Sequence, residues 1–231
     1  MAKTQPTQGE PFADDPVDEP AVRGFLHRPR DGGQGGLVIT HGAGGNCGSS
    51  LLVSLAVCFS QAGLTVLRCD LPFRQARRQG PPHPSGAAKD RAGLRAAVAA
   101  VRRIVSGSIF LGGQSYGGRQ ASMLAAEDSG VADGLVLLSY PLHPPKNPEK
   151  KRTEHLPRLQ LPALFVHGTN DPFGTRDEME SALRLIPAET RLVFIEGAGH
   201  SLVPAKSSGV GPDDVAARIL EEFRALWGRS G

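Results

Sequence analysis

The sequence predicts a three-layer α/β fold, a mostly parallel sheet of about six to eight strands with helices on both faces. Short apolar, β-branched segments alternate with helical patterns about five times along the chain. Hydrophobic residues make up 39% of the 231 residues, and 29 glycines and 19 prolines indicate many tight loops between short elements. A net charge of +3 argues against a nucleic-acid partner, and three cysteines argue against a disulfide scaffold.

The first twenty residues differ in composition from the rest. They are acidic and proline-rich, which predicts a flexible lead-in over 1–20 ahead of a single domain over 21–231. They contain no apolar segment of the kind found in secretory signals, and no run of 18 apolar residues occurs. We therefore expect a cytoplasmic protein with no membrane partner, either a monomer or a homodimer.

The first half of the predicted domain opens with an edge strand over 22–27. Residues 37–40 are apolar at successive positions, as in a strand buried on both faces. A helix over 49–62 follows, because its apolar residues recur at helical spacing. The next strand, 64–69, leads into a loop over 70–84 that is rich in arginine and proline.

The second half repeats this alternation, with a second proline-rich loop over 140–157. Ligands of such sheets bind beyond the carboxyl ends of the strands, so the loops after the strands are where chemistry is expected. The connections are short and predict a minimal cap. The predicted strands are 108–112, 134–139, 162–167 and 191–195, and the predicted helices are 86–105, 117–127, 176–185 and 213–227.

Ser115 is the candidate nucleophile. It lies in Gly113-Gln114-Ser115-Tyr116-Gly117, a G-x-S-x-G pattern that follows a buried strand and precedes a helix of small residues. A nucleophile elbow requires this strand–turn–helix setting, because the serine sits at a sharp turn and the glycines allow helix and strand to approach closely. The pattern alone is weak evidence, and its setting makes it specific.

A serine hydroxyl needs an adjacent base, and His200 is the candidate. It follows the last predicted strand and precedes the last helix, from where it can reach across the carboxyl edge of the sheet. Asp171, after the strand over 162–167, is the candidate carboxylate that orients the base. The chain order Ser115, Asp171, His200 is more specific than any one of the three residues.

Acyl transfer also requires donors for the developing oxyanion. The backbone amide of Tyr116 is one candidate, and the amide of Ala43, in the glycine-rich loop after the strand over 37–40, is the other. Gly42 and Gly44 remain alternatives to Ala43. The loop does not match a nucleotide-binding glycine pattern.

Several further side chains are candidates for substrate binding. Arg74 lies in the basic loop over 70–84, where it, Arg77 or Arg78 could reach the mouth of the pocket and favour anionic substrates. A solvated helix face and loop is the alternative for these basic residues. Tyr140 and His143 follow the strand over 134–139 and could line the acyl pocket, although packing among the loop prolines is an equal alternative.

Several of these segments resemble the α/β-hydrolase superfamily, namely VITHGAGG, LGGQSYGGR, VHGTNDPFG and IEGAGHS. The compact form resembles the dienelactone-hydrolase-like members, although dienelactone hydrolases proper use a cysteine where this chain has Ser115. Residues 139–146 are similar to a small predicted-hydrolase branch. That branch includes the testis-expressed protein thirty and the hydrolase-like domain of a subunit of the non-specific lethal acetyltransferase complex. The resemblance implies an eight-stranded or trimmed sheet with a Ser-His-Asp site.

The predicted function is that of a serine hydrolase of the carboxylesterase or thioesterase type, acting on a small ester or thioester through an acyl-enzyme. No metal or organic cofactor is expected. Cys47, Cys58 and Cys69 do not have the spacing of metal ligands. An interaction module that keeps the fold without turnover is the alternative, since a fold does not by itself imply a function. A peptidase is a third possibility, although the sequence offers no large cap to select chain ends.

Overall fold

Eight strands form one sheet in the computed structural model, which describes residues 8–30, 32–33 and 35–228. They are β1 (Glu10–Asp14), β2 (Val22–His27), β3 (Gly35–Thr40), β4 (Thr65–Cys69), β5 (Ser108–Gln114), β6 (Gly134–Leu138), β7 (Ala163–Gly168) and β8 (Thr190–Ile195). Their order in the sheet is β1-β2-β4-β3-β5-β6-β7-β8. β4, β3, β5, β6, β7 and β8 run parallel to one another. At the β4 edge, β2 is antiparallel to β4, and β1 is antiparallel to β2. The predicted mostly parallel sheet is confirmed.

Helices cover both faces of this sheet, as predicted. In chain order they are α1 (Ser50–Gln61), α2 (Pro72–Ala76), α3 (Ala87–Arg102), α4 (Tyr116–Glu127), α5 (Arg176–Leu183) and α6 (Pro212–Trp227). The apolar sides of α1 and α6 pack on one face, and those of α3, α4 and α5 pack on the other. None of the helices in the described part of the chain has both the length and the apolar character needed to cross a bilayer.

The central strand β3 shows why the sheet has two cores. Leu37 and Ile39 point into the core under α1 and α6, whereas Val38 points into the core under α3 and α4. All three side chains are completely buried. Removing each of them from water stabilises the fold by about 1.5–3 kcal/mol. The continuous apolar pattern of this strand is therefore the local cause of its central position.

The flexible lead-in predicted over 1–20 is wrong for Glu10–Asp14, which forms the edge strand β1. Phe12 pairs with Gly24 of β2 and packs against the core. Asp14 is held from two sides, since Arg23 donates to its carbonyl oxygen and Arg103 forms a 2.7 Å ion pair with its carboxylate. Pairing with the open edge of β2 outweighs the disorder that the composition favours. Residues 1–7 lie outside the described part of the chain.

The parallel strands bring their post-strand loops to one edge of the sheet. β3 and β5 are neighbours, so the loop after β3 lies beside the turn after β5. β7 and β8 are neighbours on the other side of β6, and their loops carry Asp171 and His200. Three loops that are distant in sequence therefore meet around the turn at Ser115.

Candidate active site

Ser115 occupies a strained turn between β5 and α4. Its φ of 52° and ψ of −116° are uncommon for a residue with a side chain. The backbone N–H of Ser115 donates to Leu138 O at 2.8 Å, which ties the turn to the end of β6. Strain of this kind persists only where the surroundings enforce it, and at such a turn it presents the hydroxyl at the edge of the sheet.

Glycines make this turn possible by removing side-chain volume. A Cβ on Gly117 would lie 2.4 Å from His41 O, and one on Gly118 would lie 2.5 Å from Gly113 O. Both distances are shorter than atoms can approach without a shift of the backbone. α4 can therefore begin immediately after Ser115 and lie close against β3 and β5.

His200 joins Ser115 to Asp171. Its Nε2 lies 2.8 Å from Ser115 Oγ, and its Nδ1 lies 2.8 Å from Asp171 Oδ2. An ionised carboxylate only accepts hydrogen bonds, so Nδ1 carries the proton and Nε2 is left to accept the hydroxyl proton of Ser115. The structure brings together the three residues predicted as the catalytic set, in the geometry that a nucleophile, its base and an orienting acid require.

Asp171 is held in place by groups that the sequence analysis did not select. Its side chain is fully buried, and its Oδ1 accepts from the Phe173 amide at 2.9 Å. His167 lies beneath it, with Nε2 at 3.7 Å from Asp171 Oδ2 and 2.9 Å from Gly174 O. Burial lowers the pKa of the His167 imidazole, so the imidazole packed beside Asp171 is neutral.

The two predicted oxyanion donors belong to residues that lie near Ser115. Ala43 and Tyr116 both line the same cavity as the serine. A Cβ on Gly42 would lie 3.3 Å from Ser115 Cβ, which shows how closely the loop after β3 approaches the nucleophile. Neither the Ala43 nor the Tyr116 amide donates to a protein acceptor in the described residues. Neither donor is thus occupied by a protein acceptor there.

Tyr116 is anchored by its own side chain. Its hydroxyl donates to Asp90 Oδ2 at 2.7 Å, and the other oxygen of Asp90 accepts from the Phe73 amide at 3.0 Å. Burial, followed by the hydrogen bond to Asp90, raises the pKa of the Tyr116 hydroxyl, so it remains a donor. This buried carboxylate therefore links α2, α3 and the first residue of α4.

The cavity beside Ser115 has a volume of about 400 Å³. One wall consists of residues 81–84, three of which are prolines, and Pro141 and Phe173 add further apolar surface. Arg119, Gln120 and Arg152 also line the cavity. A cavity of this size, largely apolar with a few polar groups, suits a small organic ligand.

The structure corrects the prediction that Arg74 binds substrate. Arg74 is 6% exposed and does not line the cavity. Its Nη2 donates to Ala43 O at 2.8 Å and to Gly80 O at 3.1 Å, and its Nη1 donates to Arg77 O. The guanidinium is thus occupied in joining the loop after β3 to the loop after β4.

The prediction for Tyr140 and His143 is also wrong, because neither side chain lines the cavity. Tyr140 points into the core, and its hydroxyl donates to Arg152 O at 2.6 Å. His143 is buried, with Nε2 at 3.2 Å from Glu178 and its backbone N–H bonded to Phe173 O. The sequence placed both residues after β6 correctly, but the direction of their side chains depends on packing.

Five residues that the sequence analysis did not select belong to this site: Arg119, Gln120, Arg152, His167 and Phe173. A signal existed for Arg119, since it lies one helical turn after Ser115 and so faces the same side of α4. No local pattern distinguishes Arg152 from the other arginines of the chain. Within the described ranges, no three His, Cys, Asp or Glu side chains gather as a metal site would require.

The arrangement defines the class of protein. A serine at a strand-to-helix turn, followed in the chain by an aspartate and a histidine on later loops of a doubly wound sheet, is the architecture of the α/β-hydrolases. A family model described as an alpha/beta hydrolase domain matches residues 33–227, and the chain belongs to that family.

Solved structures share the fold of this chain. A dienelactone hydrolase from Anabaena variabilis is 24% identical, with a TM-score of 0.70 over 95% of this chain and 99% of its own. A serine hydrolase without lid from Xanthomonas campestris is 17% identical, with a TM-score of 0.70 over 96% of each chain. The resemblance to the α/β-hydrolase superfamily is confirmed, and the likeness to the dienelactone hydrolase is a likeness of fold. The narrower branch remains a prediction.

Two curated proteins match shorter stretches. The polyketide synthase ThaQ of Burkholderia thailandensis is 40% identical over 73 residues, which are 32% of this chain and 3% of that protein. Epoxide hydrolase A of Mycobacterium tuberculosis is 35% identical over 68 residues, which are 29% of this chain and 20% of that protein. The chain spans far less than two thirds of either relative.

Proposed function

We propose that this protein is a serine hydrolase that cleaves a small ester or thioester through an acyl-enzyme. The observation that carries the proposal is the continuous hydrogen-bonded path from Ser115 Oγ through His200 to Asp171, with 2.8 Å at each step. A structural role would not require a serine at a strained turn, a base within reach of its hydroxyl and free amides beside it.

The proposed reaction begins when Ser115 Oγ attacks the carbonyl carbon of the substrate. His200 Nε2 takes the hydroxyl proton and then delivers it to the departing alcohol or thiol. Asp171 keeps Nδ1 protonated and stabilises the imidazolium. The Ala43 and Tyr116 amides hold the oxyanion, and each such donor contributes about 10²–10³ in kcat. A water molecule, activated by the same His200, then releases the acyl group.

Labelling with a fluorophosphonate probe, followed by intact-mass measurement, tests this proposal. The native protein should gain one adduct, Ser115→Ala should gain none, and His200→Ala should react far more slowly. Ser201→Ala is the matched control, because Ser201 is exposed, directly follows His200 in the chain and takes no part in the proposed chemistry. A panel of esters and thioesters then identifies the leaving group.

The alternative, an interaction module without turnover, makes the opposite prediction for the same experiment. A well-folded native protein that gains no adduct would contradict the hydrolase proposal and direct the search to binding partners.

The proposal includes a cytoplasmic location, which the low cysteine content of the chain supports.

A further inference from the structure

Two residues that line the Ser115 cavity each have a buried N–H group without an acceptor among the described residues. The two groups are Arg119 Nε and Gln120 Nε2. The Gln120 side chain is completely buried, and its Oε1 accepts from Arg91 at 3.1 Å, which fixes the orientation of the amide. A buried donor without an acceptor is destabilising, because it has lost its hydrogen bonds to water. Both residues line the cavity, so a ligand bound there could supply the missing acceptors.

The same wall carries positive charge that no carboxylate pairs with in the described residues. Neither Arg119 nor Arg152 forms an ion pair there, in contrast to Arg91, which binds Glu127 at 3.0 Å. Arg152 Nη1 donates to Pro141 O. Because this carbonyl oxygen is neutral, the hydrogen bond does not compensate the charge of the guanidinium. The two guanidinium groups are close enough to affect each other, since burial and then the charge of Arg119 lower the pKa of Arg152.

The other titratable groups near this wall do not cancel that charge. His155 is buried, and burial followed by the charge of Arg119 lowers its pKa to about 4, so it is neutral at physiological pH. Asp90 is engaged by the Tyr116 hydroxyl and the Phe73 amide. The negative charge of Glu154 favours the protonated forms of Arg152 and His155, but Glu154 is exposed and forms no ion pair with either residue.

The position of these groups connects them to the proposed reaction. Arg119 and Gln120 lie about one helical turn after Ser115 on α4, and Arg152 comes from the long loop after β6. All three line the cavity that also contains Ser115 and the Ala43 and Tyr116 donors. An anion bound by this wall would therefore belong to the same molecule whose carbonyl reaches the serine.

We infer that Arg119, Gln120 and Arg152 form an anion subsite that selects ester or thioester substrates carrying a carboxylate or a phosphate group. The inference rests on the proposed function, because it concerns which substrates reach Ser115. Guanidinium and amide N–H groups match the oxygens of both anions, and hydrogen bonds to a charged acceptor are about twice as strong as neutral ones. The preference for anions predicted for Arg74 is thereby assigned to Arg119 and its neighbours.

A matched pair of substrates tests the subsite by kinetics. The mono-4-nitrophenyl ester of glutarate carries a carboxylate, and its primary-amide counterpart has the same shape without the charge. Spontaneous hydrolysis, measured with Ser115→Ala, is subtracted. The native protein should prefer the carboxylate ester by about 10- to 100-fold in kcat/KM, and Arg119→Gln should lose most of that preference.

Arg158→Gln is the control for a general effect of charge. Arg158 is exposed, lies on the same segment as Arg152 and does not line the cavity. Its substitution should leave the preference within about twofold, because exposed charges are screened by salt. An equal loss of preference in Arg158→Gln and Arg119→Gln would contradict a specific subsite.

A binding measurement separates the two anions and does not depend on turnover. Glutarate and inorganic phosphate are titrated by calorimetry into the native protein, Arg119→Gln and Arg158→Gln. The anion that binds the native protein and loses about tenfold in affinity in Arg119→Gln identifies the group. Absence of an ester preference together with absence of Arg119-dependent binding would overturn the inference. Anion binding without fluorophosphonate labelling would overturn the hydrolase proposal and leave the subsite standing.

Discussion

The ring of Phe173 lies against the imidazole of His200, with centroids 4.1 Å apart and planes inclined by 26°. The backbone N–H of Phe173 donates to Asp171 Oδ1, and its carbonyl oxygen accepts from the His143 amide. One residue thus contacts both the base and the carboxylate that orients it. It also lines the cavity, so it shields one face of the base from water.

Replacing the Phe173 ring should make His200 less effective in catalysis while leaving its imidazole in place. Stacked aromatic pairs contribute about 0.5–1.5 kcal/mol beyond burial, so we expect Phe173→Leu to lower kcat by roughly three- to tenfold. The hydrolysis of 4-nitrophenyl acetate gives kcat and KM separately. Phe12→Leu, at the distant edge strand, is the control, and an unchanged kcat in Phe173→Leu would show that the stacking has no role.

Asp171→Asn tests the orientation of His200. An amide can present N–H to Nδ1 and so favours the wrong tautomer, which leaves Nε2 unable to accept the serine proton. Loss of this function costs about 10⁴ in kcat in a Ser-His-Asp site. The rate of fluorophosphonate labelling should fall in parallel. Asp177→Asn, in the exposed first turn of α5, should label like the native protein, and equal labelling of both variants would remove Asp171 from the proposed mechanism.

Arg74 should act as a positioning residue for the loop that carries Ala43. Its guanidinium holds Ala43 O at 2.8 Å, so Arg74→Ala should displace the adjacent amide and lower kcat by about 10- to 100-fold, with a smaller change in KM. Arg74→Lys should recover only part of the loss, because one ammonium cannot replace the fork of donors. The control is Arg78→Ala in the same loop, since Arg78 is exposed. A change in KM alone would indicate direct contact with the substrate.

Gly117→Ala should destabilise the fold, because its Cβ would lie 2.4 Å from the backbone oxygen of His41. Relief of this clash requires a shift of α4 or of the loop after β3, and overpacking of this kind costs about 1–3 kcal/mol. Gly86→Ala is the control, since a Cβ there meets nothing within 4 Å. Urea denaturation of both variants gives the difference, and equal stabilities would contradict the close approach.

Glu178 makes a pH-dependent contribution to stability. The Thr175 backbone N–H, followed by the Thr175 hydroxyl, lowers the pKa of this carboxyl to about 2. A carboxyl whose pKa is lowered in the folded state stabilises it fully above the unfolded value of about 4.3. That contribution is lost as the pH falls toward about 2. The unfolding free energy of the native protein should therefore exceed that of Glu178→Gln at pH 6 and approach it near pH 2.5. A difference independent of pH would exclude this explanation.

Much of the fold could be predicted because its signals are local. The apolar pattern of residues 37–40 determines a strand buried on both faces, and the glycines around Ser115 determine a tight turn into a helix. Chain order then places Ser115, Asp171 and His200 on separate post-strand loops. In a parallel sheet these loops share one edge, so the meeting of the three side chains followed from the alternation of strands and helices.

The sequence by itself therefore determined the sheet, the helices on its faces and the identity of the candidate triad, because each depends on residue type and spacing over a few positions. Only the tertiary structure decided that Glu10–Asp14 pairs with the edge of β2, that Arg74 faces the backbone of a neighbouring loop, and that Arg119 and Arg152 line the cavity. These outcomes depend on contacts between segments far apart in the chain. The direction of a long polar side chain is set by the acceptors and space that such contacts create, which no local pattern records.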